Sequence, residues 1–398
     1  MLVAGASIAG PALAYWLRRR GAEVTVVERA PGLRPGGQAV DARGVAKEVI
    51  RRMGLDAAVR AARTETVGAH MVDADGNVLQ TFSADDEGGD GYISEIEILR
   101  GDLSRVLHDD TRDGVEYVFG DQIAELAQDA DGVDVAFAGG GRRRFDLVVG
   151  ADGLHSSLRT MVFGPRERFV RHLGHVLAFY SLPNEFGLDR WMIEYQESGS
   201  GRSALLRPIQ DATRGMAMFS FPSADFDVDY RDVAAQKRLL RERMAGLGWL
   251  APRILAHLDD TPDFYLDQVA QVVMDRWSSG RVGLLGDAAF SSSPLSGGGT
   301  GLALVGAYLL TGELAAAGWN PEAGFAGYEG RMRSFAEANQ EIGRLHARSL
   351  DVPGPDAEPS LAPEEWPTEL IERAINGVEL PDYAGVPDSR ASGTRPRG

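Results

Sequence analysis

The stretch that decides the fold is residues 281–304, which read RVGLLGDAAFSSSPLSGGGTGLAL. Its first part, Val282 to Leu285, is a short apolar run that predicts a buried strand ending at Gly286 and Asp287. A carboxylate at the end of a strand can accept hydrogen bonds from the hydroxyl groups of a sugar or a polyol. Asp287 is therefore a candidate ligand-binding residue.

A glycine-rich segment follows this strand. Residues 294–301 read PLSGGGTG, and residues 302–317 have the composition and spacing of a helix. Glycines let the backbone approach a flat ring closely, and the start of a helix presents free N–H groups with a partial positive charge. Two interpretations are open at this point: a cradle for a large anionic cofactor, or an ordinary glycine-rich loop before a packed helix.

Residues 1–28 hold a second motif. A strand over residues 1–4 leads into the turn GASIAG at Gly5–Gly10, a helix over residues 11–20, and a β-branched strand that ends in Glu28. This order predicts a βαβ dinucleotide-binding unit. Ser7 stands where the fingerprint has its middle glycine. Glu28 follows at the distance expected for a carboxylate that binds ribose hydroxyls.

A third strand with the same ending lies in the middle of the chain. Residues 142–149 are predicted to form one strand, which runs into the turn GADG at residues 150–153. Three strands thus end near Gly5, Gly150 and Gly286, and open α/β sheets bind ligands at the carboxyl ends of their strands. Residues 96–107 predict a helix with Arg100 at its start, and spacing alone favours an ordinary surface position for this arginine.

Composition narrows the class of protein. The chain has 398 residues, 44% of them hydrophobic, which is enough for sizeable cores. A formal net charge of −17 argues against non-specific binding to nucleic acid or to an anionic membrane. The chain has no cysteine, and its seven histidines show no ligand spacing, so no metal site is expected. We find no signal peptide and no apolar run near the roughly 18 residues of a membrane span, so we expect a soluble, cytoplasmic protein.

Taken together, the three motifs resemble those of the single-component FAD-dependent aromatic hydroxylases, the para-hydroxybenzoate hydroxylase family. The resemblance rests on GASIAG with Glu28, GADG with Arg159, and Gly286-Asp287 with residues 294–301, and it covers residues 1–350. The loop RPGGQAVD at residues 34–41 and the segment LRGDL at residues 99–103 are most similar to one branch of this family. That branch contains the tetracycline-inactivating and polyketide-tailoring monooxygenases.

The resemblance implies an α/β fold in which a Rossmann-like FAD-binding domain of the glutathione-reductase type (GR2) carries an inserted β-sheet substrate-binding domain and a C-terminal helix. The FAD-binding domain is expected in three parts, residues 1–70, 96–163 and 277–350. The substrate-binding domain is expected to comprise strands in residues 71–95 and the body of residues 164–276. A linker and helix are expected over residues 351–383, with the helix at 367–376, and a disordered tail over 384–398.

The resemblance also implies site residues. The expected contacts to FAD are Gly5, Ser7, Gly10, Glu28, Arg29, Asp41, Arg43, Arg100, Asp152, Asp287, Pro294, Gly297, Gly298 and Gly299. Arg34 and Arg159 are candidates for binding NADPH. In the strand-rich middle of the chain the substrate candidates are Tyr195, Arg207, Met216 and Phe219. A strand offers only one face to a ligand, so packing in the core is the alternative for each of them.

The activity implied is the hydroxylation of a polycyclic aromatic or polyketide-like (tetracycline-type) small molecule through a flavin C4a-hydroperoxide. It would use FAD, NADPH (or NADH in its place) and dioxygen, in a monomer or weak dimer, for antibiotic biosynthesis or resistance. The flavin carries the chemistry, and no catalytic side chain is identified. Two alternatives remain: an FAD-dependent halogenase or prenyl reductase of the same fold, and a non-catalytic flavin-containing binder of small molecules.

Overall fold

The computed structural model describes residues 1–85, 90, 91, 93–224, 229, 231–350 and 367–386. Part of the expected linker, residues 351–366, and most of the expected tail, residues 387–398, lie outside the described residues. The described chain folds into mixed β-sheets with helices packed against them, which confirms the α/β class predicted from the sequence.

The strands of the described chain are, in order, β1 (Leu2–Ala4), β2 (Thr25–Glu28), β3 (Ala39–Asp41), β4 (Gly68–Val72), β5 (Val78–Ser83), β6 (Glu97–Leu99), β7 (Glu116–Phe119), β8 (Ile123–Gln128), β9 (Val133–Phe137), β10 (Arg142–Phe145), β11 (Val148–Gly150), β12 (Val170–Pro183), β13 (Trp191–Gln196), β14 (Ser203–Pro208), β15 (Arg214–Pro222), β16 (Tyr265–Val272), β17 (Ser278–Ser279) and β18 (Val282–Leu284). The helices are α1 (Ala9–Arg19), α2 (Val45–Met53), α3 (Asp56–Ala61), α4 (Arg100–Thr111), α5 (Ser157–Phe163), α6 (Val233–Arg243), α7 (Ala251–Ala256), α8 (Asp287–Phe290), α9 (Gly299–Ala316), α10 (Pro321–Leu350) and α11 (Thr368–Asn376).

A six-stranded sheet forms the centre of one half of the molecule. We call it the cofactor half, because the three predicted glycine turns lie in it. Its strand order is β17-β18-β11-β1-β2-β7, and all neighbours except β17 and β18 run parallel. In this order β18, β11 and β1 are adjacent. They are the three strands that were predicted to end near Gly286, Gly150 and Gly5. Their carboxyl ends meet at one edge of the sheet, as the predicted glycine turns required.

A seven-stranded sheet of order β16-β12-β15-β14-β13-β4-β5 forms the other half. Alternation along its strands gives two faces. One face packs under α6 and α7 and buries Ala178, Leu206 and Phe219 in a core with Leu240 and Ile254. The opposite face carries a second apolar cluster that reaches the glycine-rich segment after β18, as described below.

Two predicted elements differ from the structure. Residues 97–99 form β6, paired antiparallel with β3, so the helix predicted over residues 96–107 begins only at Arg100. The single strand predicted over residues 142–149 is two strands: β10 belongs to a three-stranded sheet, and β11 to the parallel one. In both places the adjacent segments are short, so local spacing does not show where one element ends. Tertiary pairing decides it.

Helix α9 follows the glycine-rich segment and is the central helix of the cofactor half. Its 18 residues have a mean hydropathy of 1.3, long and apolar enough to cross a membrane by composition, contrary to our expectation that no such run exists. Since 83% of that window is buried inside the protein, α9 is a helix of the core. Helix α10, which the motifs did not predict, packs along α9, and α11 confirms the helix predicted at residues 367–376.

Candidate functional site

The turn after β1 is held in close contact with the end of β11. Gly5 has a φ of +104°, and a Cβ there would lie 2.4 Å from the carbonyl oxygen of Ala151. A Cβ on Gly10 would lie 1.9 Å from the carbonyl oxygen of Gly5. Both positions therefore require glycine, because the start of α1 rests directly on the turn.

Glu28 at the end of β2 is fixed by the backbone around it. Its Oε2 accepts a hydrogen bond from the N–H of Ala6 at 2.9 Å, and its Oε1 accepts one from the N–H of Ala30 at 2.9 Å. The half-buried carboxylate thus stands beside the turn, where a ribose hydroxyl can reach its remaining lone pairs. Its neighbour Arg29 is exposed.

The strand β6, which pairs with β3, leads into Arg100, and Arg100 reaches the turn after β1. The Arg100 guanidinium donates from Nη1 to Oγ of Ser7 at 3.1 Å, so Ser7, which replaces a glycine of the fingerprint, positions a cation. Burial lowers the pKa of Arg100 to about 10, and the group remains charged at neutral pH. Arg100 is therefore not the surface arginine that its spacing favoured. Asp41, on β3, forms an ion pair of 3.1 Å with Arg43.

Asp287, at the start of α8, combines exposure to water with dense protein around its carboxylate. Its residue is exposed, yet the surrounding protein desolvates the carboxylate and raises its pKa. Tyr265, 43% exposed, shows the same combination, because burial and the adjacent Asp267 carboxylate raise the pKa of Tyr265 well above its ordinary value. Exposure to water together with dense protein on several sides describes the wall of a cleft rather than an outer surface.

The glycine-rich segment is held against the cleft by the last two helices. Pro294–Ser296 form a short 3₁₀ helix, and Gly297 follows in the left-handed region at φ +66°. A Cβ on Gly298 would lie 1.7 Å from Oδ1 of Asn339, which α10 presses against it. Asn339 donates in turn to the carbonyl oxygen of Ala374 in α11 at 2.9 Å.

Two more of the expected FAD contacts, Arg43 and Asp287, border the glycine-rich segment. A Cβ on Gly297 would lie 3.2 Å from Nη1 of Arg43, and one on Gly299 would lie 3.9 Å from Oδ1 of Asp287. Pro294 is exposed. The structure thus brings Arg43, Asp287 and the glycines of residues 297–299 to one place.

In the middle motif, the side chains of Asp152 and Arg159 bind the protein's own backbone. Oδ2 of Asp152 accepts hydrogen bonds from the N–H groups of Ser157 at 2.8 Å and Leu158 at 3.2 Å, at the start of α5. Arg159 is 0% exposed and donates to the carbonyl oxygens of Leu154 at 2.7 Å and Ala288 at 3.0 Å. Arg159 therefore links the second motif to the third, and the expectation that it contacts NADPH does not fit this burial.

The residues present fit FAD. Within the described chain, α1 and α9 both begin at this edge without a side-chain cap, so their free N–H groups suit a pyrophosphate and an electron-rich ring. Arg100 and Arg43 add positive charge, and Glu28 and Asp287 offer acceptors to ribose and ribityl hydroxyls. The segment at Gly297–Gly299 presents main chain to a flat ring.

Comparison with known proteins agrees with this fit. The sequence matches the FAD binding domain family over residues 1–341. A flavin-dependent monooxygenase of Legionella longbeachae is 37% identical over 385 residues, which cover 96% of this chain and 98% of the relative. The chain belongs to the FAD-binding monooxygenase family. It is a flavin-dependent monooxygenase, which sets aside the halogenase, the prenyl reductase and the non-catalytic binder.

Two further similarities extend over nearly the whole monooxygenase. An uncharacterised protein of Mycobacterium tuberculosis is 44% identical over 384 residues, covering 96% of this chain and 99% of the relative. The crystal structure of the tetracycline destructase Tet(51) matches with a TM-score of 0.84 at 36% identity, covering 96% of this chain and 98% of that chain.

The two faces of the seven-stranded sheet separate the substrate candidates. Met216 belongs to the apolar cluster on the cleft face, with Leu177, Phe179 and the half-buried Leu295 of the glycine-rich segment. Tyr195 and Phe219 lie in the core under α6 and α7, so strand alternation turns both of them away from the cleft. These two substrate predictions are wrong for that reason.

Arg207 lies on the cleft face and is tied to the cofactor half. Its Nη1 is 3.0 Å from Oε2 of Glu97 on β6. Oε1 of Glu97 accepts hydrogen bonds from the hydroxyls of Thr64 at 2.5 Å and Thr66 at 2.7 Å. Sequence reasoning did not find Glu97, although it is an acid within an otherwise apolar segment.

A hydrogen-bonded chain on the cleft wall was also missed. The Tyr265 hydroxyl donates to Oδ2 of Asp267 at 3.0 Å, and Nε2 of His155 lies 2.5 Å from the same oxygen. Nη1 of Arg166 lies 3.0 Å from Nδ1 of His155. The spacing of Tyr265 and Asp267, two residues apart on β16, places them on one face of the strand, but His155 comes from a distant part of the chain.

Proposed function

We propose that the monooxygenase uses NAD(P)H and dioxygen to hydroxylate an electron-rich polycyclic aromatic or polyketide-like small molecule. The observation that carries this proposal is the apolar cluster of Leu177, Phe179 and Met216 on the cleft face, which meets Leu295 beside the expected ring cradle. A flat, largely apolar ligand fits between such a surface and a planar cofactor. The likeness to Tet(51), a tetracycline destructase, supports the same substrate class.

The protein's own contribution is to bind, orient and exclude water. When bound, FAD would supply the activation of dioxygen, which is the source of the oxygen atom that is transferred. The apolar cluster keeps water from the place where the ring of the substrate lies. The start of α9 directs partial positive charge at the cradle, which stabilises negative charge on a reduced ring. Arg207, fixed by Glu97 at the cleft face, offers N–H donors to an oxygen of the substrate.

The nicotinamide nucleotide is proposed to bind in the same cleft, because we find one dinucleotide-binding turn in the described chain. Arg34 lies exposed on the loop before β3, and its charge is near enough to Arg100 to contribute to that residue's lowered pKa. An exposed guanidinium beside the cleft suits a phosphate of NADPH. NADPH rather than NADH, a cytoplasmic monomer or weak dimer, and a role in antibiotic biosynthesis or resistance complete the proposal.

The test is NADPH oxidation by the FAD-loaded protein across a panel of polycyclic phenols, including tetracyclines and anthraquinones, with hydrogen peroxide measured in parallel. We expect at least one compound to accelerate NADPH loss without a matching release of peroxide, and mass spectrometry to show one added oxygen atom. Free FAD with each compound is the control. Failure of every compound to change NADPH loss or to gain oxygen contradicts the proposed substrate class.

A further inference from the structure

We propose that Met218 is a modification site of this monooxygenase. Hydrogen peroxide, released when the protein reduces dioxygen without hydroxylating a substrate, oxidises the Met218 thioether to the sulfoxide. The inference rests on the proposed function for one point only, that dioxygen is reduced beside the cleft face of the seven-stranded sheet. It requires no particular substrate.

The cleft face of the sheet carries four methionines within the described chain. They are Met71 on β4, Met192 on β13, and Met216 and Met218 on β15. Met218 packs against both apolar clusters of this face, the one that includes Leu295 of the glycine-rich segment and the one that includes Met192. The chain has no cysteine, so thioethers are its oxidisable sulfur groups.

Accessibility separates Met218 from its neighbours on this face. Met216 is 4% exposed and Met192 is 2% exposed, whereas Met218 is only half-buried. The Met192 sulfur also accepts a hydrogen bond from Nη2 of Arg207 at 3.2 Å, which engages the lone pair that an oxidant must reach. Burial therefore protects Met216, burial and hydrogen bonding protect Met192, and Met218 stays open to the cleft.

The sheet also provides a matched comparison for Met218. Met218 on β15 lies opposite Leu205 on β14, Leu205 lies opposite Glu194 on β13, and Glu194 lies opposite Met71 on β4. Met71 therefore lies on the same face and is half-buried as well. Three strand spacings, roughly 14 Å, separate the two methionines. Met218 is at the end of this row that borders Leu295, and Met71 is at the far end.

The reaction is a two-electron oxidation of sulfur. A lone pair of the Met218 sulfur attacks one oxygen of hydrogen peroxide, the O–O bond breaks and an S–O bond forms. The proton on the transferred oxygen passes to the departing hydroxide, which leaves as water. Dioxygen, two electrons from the reduced cofactor and two protons supply the peroxide, so no further reagent is needed.

The modification changes the chemistry of the cleft face. A sulfoxide is polar and chiral where the thioether was apolar and flexible. At Met218 it lies within the apolar surface on which the ring of a substrate is proposed to rest, so the modified protein binds such a ring more weakly. A monooxygenase that cycles without substrate thereby disables its own cleft, and methionine sulfoxide reductases restore it.

The experiment uses neither a substrate nor NADPH. FAD-loaded protein is reduced with stoichiometric dithionite under nitrogen and then mixed with air-saturated buffer in the dark. Catalase is present to destroy peroxide that reaches bulk solution. After several cycles, fragment-ion mass spectrometry measures the sulfoxide at Met218, Met71 and Met161. We expect several-fold more sulfoxide at Met218 than at either other methionine, although Met161 on α5 is 42% exposed.

Hydrogen peroxide added to protein that has not been reduced, without catalase, is the control for intrinsic reactivity. It should oxidise the exposed Met161 ahead of Met218. Equal sulfoxide at Met218 and Met71 after the catalase-treated cycles, or Met161 leading in both treatments, overturns the proposal. The proposed function is judged separately, by NADPH oxidation across the panel of phenols.

The effect on the cleft is measured with Met218→Leu, which conserves volume and removes the sulfur. After the cycles, wild-type protein should bind alizarin, a dihydroxyanthraquinone, several-fold more weakly than before, and Met218→Leu should be unchanged. Equal weakening of both proteins would place the damage elsewhere. If alizarin does not bind before the cycles, the proposed substrate class is contradicted, and the distribution of sulfoxide still decides whether Met218 is the site.

Discussion

Arg207 of β14 and Glu97 of β6 form an ion pair, with Nη1 to Oε2 at 3.0 Å, that joins the seven-stranded sheet to the strand beside the cofactor turn. The side chain of Glu97 is 5% exposed and that of Arg207 is 18% exposed, so water screens this pair weakly. Glu97 also accepts from Thr64 and Thr66, which hold it in one orientation. The pair therefore fixes the distance between the two walls of the cleft at this point.

We predict that Glu97→Gln lowers the free energy of unfolding by about 2 kcal/mol, because it leaves a half-buried guanidinium without its charged acceptor. The amide oxygen can still accept from the threonines. Urea denaturation measures the change. Glu125→Gln is the control, since Glu125 lies 3.5 Å from Arg142 with both side chains about three-quarters exposed, and exposed pairs contribute less than about 1 kcal/mol. Equal effects of the two variants would contradict the prediction.

Replacing Asp287 by asparagine should stabilise the FAD-free protein and weaken FAD binding. Desolvation raises the pKa of Asp287 in the folded protein, so its ionisation begins to oppose folding above the ordinary pKa of the unfolded chain and opposes it fully above the raised pKa. Asp287→Asn should therefore stabilise the FAD-free protein at neutral pH, and the gain should disappear as the pH falls and the wild-type carboxyl becomes protonated.

The same variant should bind FAD roughly tenfold or more weakly, the loss of one hydrogen bond to a charged acceptor. Denaturation of the FAD-free protein at two pH values gives the first effect, and flavin fluorescence gives the second. A destabilised variant that binds FAD normally would show that Asp287 has a structural role instead.

Gly10→Ala should be strongly destabilising. Its Cβ would lie 1.9 Å from the carbonyl oxygen of Gly5, and main chain cannot yield as a side chain can. We expect a loss of about 3 kcal/mol or more in the free energy of unfolding, with loss of FAD binding. The control is Gly330→Ala in α10, where a Cβ meets nothing within 4 Å. An alanine there should stabilise the helix by about 0.5–1 kcal/mol. Thermal denaturation of both variants decides the point.

The cofactor edge could be predicted from the sequence because its chemistry is local. A strand that ends at Gly5, Gly150 or Gly286 carries its own marker, and parallel strands of one sheet place those markers side by side. The partner of Ser7 was not predictable. Arg100 reaches Ser7 only because β3 and β6 pair, and three residues, Glu97–Leu99, are too few to show a strand beside a helix pattern.

The cleft face of the substrate sheet could not be chosen from the sequence. Along β15 both faces are apolar, since Met216 and Met218 alternate with Ala217 and Phe219. Alternation says that one set faces the cleft, and only the packing of α6 and α7 over the other set says which. The contact of His155 with Asp267 spans 112 residues of sequence, and neither residue carries a local signal for the other.

Replacing Arg34 and replacing Arg159 should have different effects on stability and on the KM for NADPH. Arg159→Met removes donors from two carbonyl oxygens in a buried place, so it should cost about 2–3 kcal/mol of stability and leave the KM for NADPH unchanged in the folded enzyme. Arg34→Ala removes an exposed cation, so it should leave stability unchanged and raise that KM roughly tenfold. Steady-state kinetics and urea denaturation of both variants test this. A raised KM in Arg159→Met alone would restore it as the NADPH contact.

Met216 and Phe219, three residues apart on β15, should respond in opposite ways. Met216→Leu conserves volume and should cost less than about 1.5 kcal/mol, yet it reshapes the cleft face and should change the dissociation constant of a hydroxyanthraquinone such as alizarin several-fold. Phe219→Leu creates a void under α6 and α7 and should cost about 1–3 kcal/mol while leaving that constant unchanged. Absorbance titration and denaturation measure both quantities for both variants. A dissociation constant that follows Phe219 and ignores Met216 would mean that the ligand lies on the helix-covered side, against the strand alternation that divides the sheet.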